Sequence, residues 1–171
     1  PLTADAMNHA RQNAAEFIDE YEVPHILITS MQLAAIQSAQ YVDQTMKRHH
    51  SNPIVYRNHG FGASFTHHYV KGFPTTHPNY EPLTNTVCYT DNSAPIPSWQ
   101  NQANQLNIAL RKVIIAIKLE MANNNNSIPY DFEDLVAYLV SSYEVAALFR
   151  RRATRFGLEY IDPREALPGN I

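Results

Sequence analysis

The sequence predicts a mainly α protein: a four-helix bundle with a long irregular, short-β middle segment and an extended C-terminal arm. Three observations predict it. Apolar residues recur at helical spacing in four stretches, prolines crowd the middle of the chain, and turn-forming glycine is scarce, with 5 in 171 residues. A chain of this length buries one sizeable core, so residues 1–171 are read as a single domain.

Residues 4–22 read as the first helix, with Met7, Ala10, Ala14, Phe17, Ile18 and Tyr21 on one face, Thr3 as cap and Pro24 as stop. The second is expected over residues 30–48, where Thr29 and Gln32 have the spacing of a capping box and Met31, Ala35, Val42 and Met46 supply a buried stripe. Prolines 53, 74, 78, 82, 95 and 97 forbid long helices over residues 49–97. Short β pieces are expected there at Ile54–Tyr56, Ser64–Val70 and Asn85–Tyr89. The aromatic content of this segment suits packing rather than a loose linker.

The third helix, residues 98–122, is expected to start at Ser98. Trp99, Ala103, Leu106, Leu110, Val113, Ile117 and Met121 form its seam. The fourth, residues 131–156, opens on the acidic first turn Glu133-Asp134 and buries Phe132, Leu135, Val136, Leu139, Val140, Tyr143 and Ala147. Residues 162–171, with Pro163 and Pro168, are read as the arm.

Composition excludes several functional classes. Net charge is −3, so any nucleic-acid binding must rest on a local basic patch. A lone cysteine, Cys88, provides neither an intrachain disulfide nor a multi-cysteine zinc site. The pair Gly60 and Gly62 fits neither nucleotide-binding fingerprint. No stretch reaches the roughly 20 apolar residues of a membrane span, and the N-terminus has no secretory-signal pattern.

Six of the eight histidines lie between His49 and His77. A metal site built on His59, His67, His68 and His77 is one reading, but neighbours such as His67 and His68 point to opposite faces of a strand. Packing or polar contacts are the simpler role. Cys88 has no flanking glycine or helix start to activate it, so a buried thiol is expected rather than a nucleophile. Asp131, Glu133 and Asp134 are explained by helix capping before acid–base chemistry. No catalytic residue and no cofactor are assigned. The densest charge is Arg150, Arg151, Arg152 and Arg155, either a solvated helix end or a phosphate-binding strip. Arg111, inside the most apolar helix, is expected to be near-buried and to need a carboxylate such as Asp91 or Asp131, or a phosphate. Asp19, Glu20 and Glu22 gather at the opposite pole.

The run Ile108-Ala109-Leu110-Arg111 to Leu119-Glu120-Met121, followed by Phe132-Glu133, resembles the long helix and downstream Phe-Glu pair of tobacco-mosaic-type coat proteins. Gly157-Leu158-Glu159-Tyr160 is similar to the ending of some rod-virus coats. Tyr143-Glu144-Val145 with Arg152-Ala153 is similar to a stretch of flexuous-virus coats. The resemblance implies a helical bundle polymerised around single-stranded RNA, without enzymatic activity, in a virion or host cytoplasm and not in a membrane. Arg111 is carried over as an RNA-side or buried ion-pair arginine.

The expected function is therefore a structural protein that self-assembles around single-stranded RNA, each copy making few phosphate contacts. The partners are RNA and many copies of itself, and the expected RNA-binding residues are Arg111, Arg150, Arg151, Arg152 and Arg155. The alternatives are a histidine-rich metal-binding protein or metal-dependent enzyme using residues 49–77, and a helical protein-interaction adaptor.

Overall fold

A computed structural model describes residues 3–62, 88–91, 97–98, 100–123 and 131–159. The expected strand at Ser64–Val70 and the C-terminal arm 162–171 lie outside them. The chain is not a four-helix bundle. Four helices flank a four-stranded, all-parallel sheet, giving an α/β fold.

The order is α1 (Ala4–Glu20), β1 (Ile26–Thr29), α2 (Leu33–Arg48), β2 (Ile54–Asn58), a 3-10 turn (His59–Phe61), β3 (Cys88–Asp91), α3 (Gln102–Asn123), a second 3-10 turn (Phe132–Asp134), β4 (Ala137–Val140), α4 (Tyr143–Ala153) and a last 3-10 turn (Thr154–Phe156). Strands lie in the order β3-β2-β1-β4. Ile28 pairs with Tyr56 on one side and Leu139 on the other, and Tyr56 pairs with Tyr89.

Partners in register share a face, and successive residues alternate. Ile26, Ile28, Ile54 and Tyr56 therefore point to one side, where Phe61, Leu106, Leu110, Val113, Ile117 and Val145 bury them. Leu27 and Val55 point to the other side, against Ala14, Ala39, Val42 and Met46 of α1 and α2. A sheet covered on both faces needs strands that are apolar throughout, and Ile26–Thr29 and Ile54–Asn58 are buried at every position.

That requirement overturns the expected helix over residues 131–156. The spacing of Leu135, Leu139 and Tyr143 suits a helix, but Ala137-Tyr138-Leu139-Val140 is apolar on both faces and pairs with β1. The α-helix begins only after Ser142, whose hydroxyl accepts from the Val145 amide at 3.4 Å. The capping box at Thr29 and Gln32 is also absent. Thr29 ends β1 and its hydroxyl donates to the Ser30 carbonyl at 3.3 Å, while the Gln32 side chain makes no capping bond to α2. α3 starts at Gln102 rather than at Ser98. The first helix keeps its expected cap: the Thr3 hydroxyl accepts from the Ala6 amide at 3.2 Å.

β1 is followed by β2 on one side, whereas the chain returns from β3 through α3 to place β4 on the other side of β1. This reversal is a topological switch point, and its crevice opens at the carboxyl ends of the strands. No helix among the described residues is long and apolar enough to cross a membrane.

Candidate functional site at the carboxyl edge

Extending the register one step past β1 and β4 aligns Ser30 with Ser141 and with the Asn58–Asp91 pair, on the α3 side of the sheet. A polar rung, Asp91-Asn58-Ser30-Ser141, thus crosses the ends of all four strands. Ser30 is fully buried and Asn58 nearly so, whereas Asp91 and Ser141 are half-buried at the rim.

The rung is cross-braced. The Asn58 amide donates to Asp91 Oδ2 at 3.3 Å, and Lys112 Nζ of α3 meets the same oxygen at 2.8 Å. Asn58 Oδ1 accepts from the Gly60 amide at 2.8 Å and so starts the 3-10 turn. The turn then reaches β4, where the Ser141 hydroxyl donates to the Phe61 carbonyl. Gln102 Nε2 donates to the Gly62 carbonyl at 3.5 Å, which ties the same turn to the start of α3. The Ser30 hydroxyl accepts from the Gln32 amide at 3.3 Å.

The charges nearly cancel. Asp91 carries the negative charge and Lys112 answers it. Burial holds the His59 imidazole below its usual pKa, partly offset by the Asp91 carboxylate, so His59 is predominantly neutral near pH 7. What reaches the rim is the Asp91–Lys112 pair and the hydroxyls of Ser141 and Ser142, groups that donate and accept at once.

At Ser141 and Ser142 the edge opens into a groove of about 1070 Å³ that follows β4, with walls including Phe17, Leu110, Ile117, Phe132 and Phe149. Lys118 stands at its rim, its ammonium 4.7 Å from the Phe132 ring centroid. The groove is as large as the larger small-molecule sites, and its apolar walls are interspersed with Glu16, Lys118, Glu133, Asp134 and Glu159.

The residues expected to carry function fall elsewhere. Arg111 is exposed on the outer side of α3 and is not the near-buried arginine anticipated. The fully buried guanidinium belongs to Arg57 of β2, on the opposite face of the sheet from the rung. Arg150, Arg151 and Arg155 are exposed and Arg152 is half-buried, its Nε without a hydrogen-bond partner among the described residues. Because α4 starts at the carboxyl edge and runs away from it, these arginines lie at the far end, roughly 16 Å along the helix from Ser142. Of the four histidines in the metal reading, His59 is buried at the end of β2, and His67, His68 and His77 lie outside the described residues. Among the described residues no three His, Cys, Asp or Glu side chains are gathered to hold a metal.

Ser30, Asn58, Asp91 and Ser141 are scattered over 112 residues of chain and share no local motif. A signal was present nonetheless: each ends a short apolar run (Ile-Leu-Ile-Thr, Ile-Val-Tyr-Arg, Cys-Tyr-Thr, Ala-Tyr-Leu-Val) with a small polar residue. The sequence matches no protein-family model and no curated protein.

Proposed function

We propose that this domain binds a nucleotide, free or as one unit of an RNA strand, at the carboxyl edge between β1 and β4. The observation that carries the reading is the polar rung lying at the switch point and opening into an aromatic-walled groove. Hydroxyls at the carboxyl edge suit ribose and base edges, while Phe132 and Lys118, at the other end of the groove beside the amino end of β4, would be reached only by a strand lying along it. That switch points take nucleotides is an analogy from other doubly wound sheets, and the site chemistry supplies the remainder of the argument. The proposal is of binding and assigns no catalytic residue.

Calorimetric titration with adenosine monophosphate, uridine monophosphate and a twelve-residue oligouridylate tests it, with inorganic phosphate as control. At least one nucleotide species binds with a micromolar Kd, and Ser141→Ala weakens it about tenfold or more at a temperature where circular dichroism shows the variant folded. The mononucleotides and the oligomer separate a free ligand from a strand. Absence of heat with every nucleotide at millimolar concentration overturns the reading.

A second reading, self-assembly around single-stranded RNA, is supported by the exposure of Arg150, Arg151 and Arg155 on one helix end. It requires many copies sharing one strand, because each contributes few phosphate contacts. Electron microscopy with added RNA shows filaments in that case. Changing all three arginines to glutamate abolishes them, and uniformly monomeric particles at low salt remove the reading.

A further inference from the structure

The groove along β4 is lined from both sides of the sheet. Phe17 of α1 belongs to the side that Leu27 faces and Ile117 of α3 to the side that Ile28 faces, yet both border the same space. Space shared by two faces of a sheet passes round its edge, and residues 137–140 line the groove throughout. β4 ends the strand order and pairs with β1 alone among the described residues. The free side of such a strand presents backbone donors and acceptors to a further strand. The usual guards of an exposed edge are missing, because Ala137-Tyr138-Leu139-Val140 holds no charge and no proline and pairs with β1 without a bulge.

Charge along the groove is gathered at one end. Glu133 and Asp134 precede β4, and Glu16 adjoins Phe17, whose ring meets that of Tyr138 edge-on at 5.1 Å near the start of the strand. Glu159 follows α4, which runs away from the carboxyl edge, so it lies toward the same amino end. Among the described residues none of these four carboxylates has an ion-pair partner. Lys118, the ammonium on that wall, sits over the Phe132 ring instead. The stretch from Ala137 to Ser142 carries no charged side chain.

We infer that β4 captures an extended segment of a partner protein as a fifth strand, apolar where it lies along residues 137–140 and basic where it passes Glu133 and Asp134. Main-chain bonds hold such a strand, and its charged end gives the selectivity. A polynucleotide would set phosphates against the carboxylates. A second copy is poorly suited, because β4 is half-buried at three of its four positions, recessed between helices that would meet first. The inference does not rest on the nucleotide reading, since a mononucleotide at Ser141 takes the other end of the groove.

The experiment titrates the full chain with labelled nine-residue peptides of alternating valine and threonine, read by fluorescence anisotropy. Three lysines stand at the amino or the carboxyl end, and counterparts carry three glutamates. At least one lysine peptide binds about tenfold or more tightly than its glutamate counterpart. Methylating the backbone nitrogens of one alternating set of its residues abolishes binding and methylating the other set does not, because only alternate residues bond to the edge. Glu133→Lys with Asp134→Lys removes the preference for lysine while Tm is kept, both side chains being exposed. Failure of every lysine peptide to bind, equal binding of lysine and glutamate peptides, or indifference to which set is methylated overturns the inference. A twelve-residue oligouridylate binding in place of the peptides overturns it in favour of a polynucleotide. A concentration-dependent dimer that excludes the peptides overturns it in favour of a second copy. Calorimetry with uridine monophosphate reads the nucleotide site separately.

Discussion

Asn58 and Asp91 meet at the carboxyl ends of β2 and β3, the amide of one donating to the carboxylate of the other at 3.3 Å, while the same amide's oxygen accepts the Gly60 amide. One side chain thereby joins the strand pair to the turn that crosses the sheet edge. The integrity of that turn governs the shape of the candidate site, and several measurable consequences come from it.

Gly60 is where the turn touches α3. A Cβ on Gly60 would lie 2.6 Å from both the Ala109 Cβ and the Gln105 carbonyl oxygen, which is backbone and cannot swing away. Gly60→Ala is expected to destabilise the fold by about 1–3 kcal/mol, the usual cost of forcing a methyl into a packed contact. Urea denaturation followed by circular dichroism measures it, and an unchanged midpoint would contradict the close approach.

The other end of the turn is held by Ser141, whose hydroxyl donates to the Phe61 carbonyl. Ser141→Ala removes the donor and leaves a buried carbonyl unmatched, at a cost of about 1–3 kcal/mol. Hydrogen exchange at residues 59–62 is expected to accelerate more than exchange in β1. Uniform acceleration would mean the bond does not anchor the turn specifically.

Tyr56 is a case in which removing a polar atom helps. Its ring stacks on Tyr89 at 5.2 Å, but its hydroxyl is buried and has no hydrogen-bond partner among the described residues. Tyr56→Phe keeps the ring and relieves the buried hydroxyl, so a gain of up to about 1–2 kcal/mol is expected. Burial, with Tyr89 and Glu120 adding to it, also raises the phenol's pKa in the folded state. That stability is fully present below the unfolded tyrosine pKa of 10.0 and is lost as pH rises above it. Loss of stability above pH 10 should be smaller in the phenylalanine variant, as thermal melts across that range will show.

His25 and His59 act at the acid side. Burial depresses both imidazoles, partly offset by Glu22 and Asp91 respectively. The unfolded chain therefore takes up protons first, so their contribution is present above the ordinary imidazole value of 6.5 and is lost as pH falls through and below it. Urea midpoints are expected to decline from about pH 7 to pH 5, ahead of carboxylate titration. A variant carrying His25→Asn and His59→Asn should show a flatter profile over that interval. An equally steep decline would place the acid sensitivity elsewhere.

How much of this was legible beforehand differs by element. α1, α2 and α3 announce themselves because amphipathic periodicity over 16 to 22 residues is a local property of the chain. β2 was marked by Ile54-Val55-Tyr56, and β3 in part by Val87-Cys88-Tyr89. β1 and β4 were not, since four apolar residues fit a buried strand and a turn of buried helix equally well. At β4 the helical spacing of Leu135 and Leu139 misled, and the true helix begins at Tyr143. The candidate site was hidden for the same reason, because Ser30, Asn58, Asp91 and Ser141 become neighbours only when four strands pair in register.

By itself the sequence determined where long helices can persist, that prolines bar them from residues 49–97, and that no dominating charge exists to impose a partner. Only the tertiary structure decided that the apolar runs at residues 26–29 and 137–140 are strands, that all four strands lie parallel in the order β3-β2-β1-β4, and that Arg57 rather than Arg111 is buried. The physical reason is range. A helix closes its hydrogen bonds within four residues, whereas a parallel strand finds its partners across tens of residues, through contacts that no local pattern records.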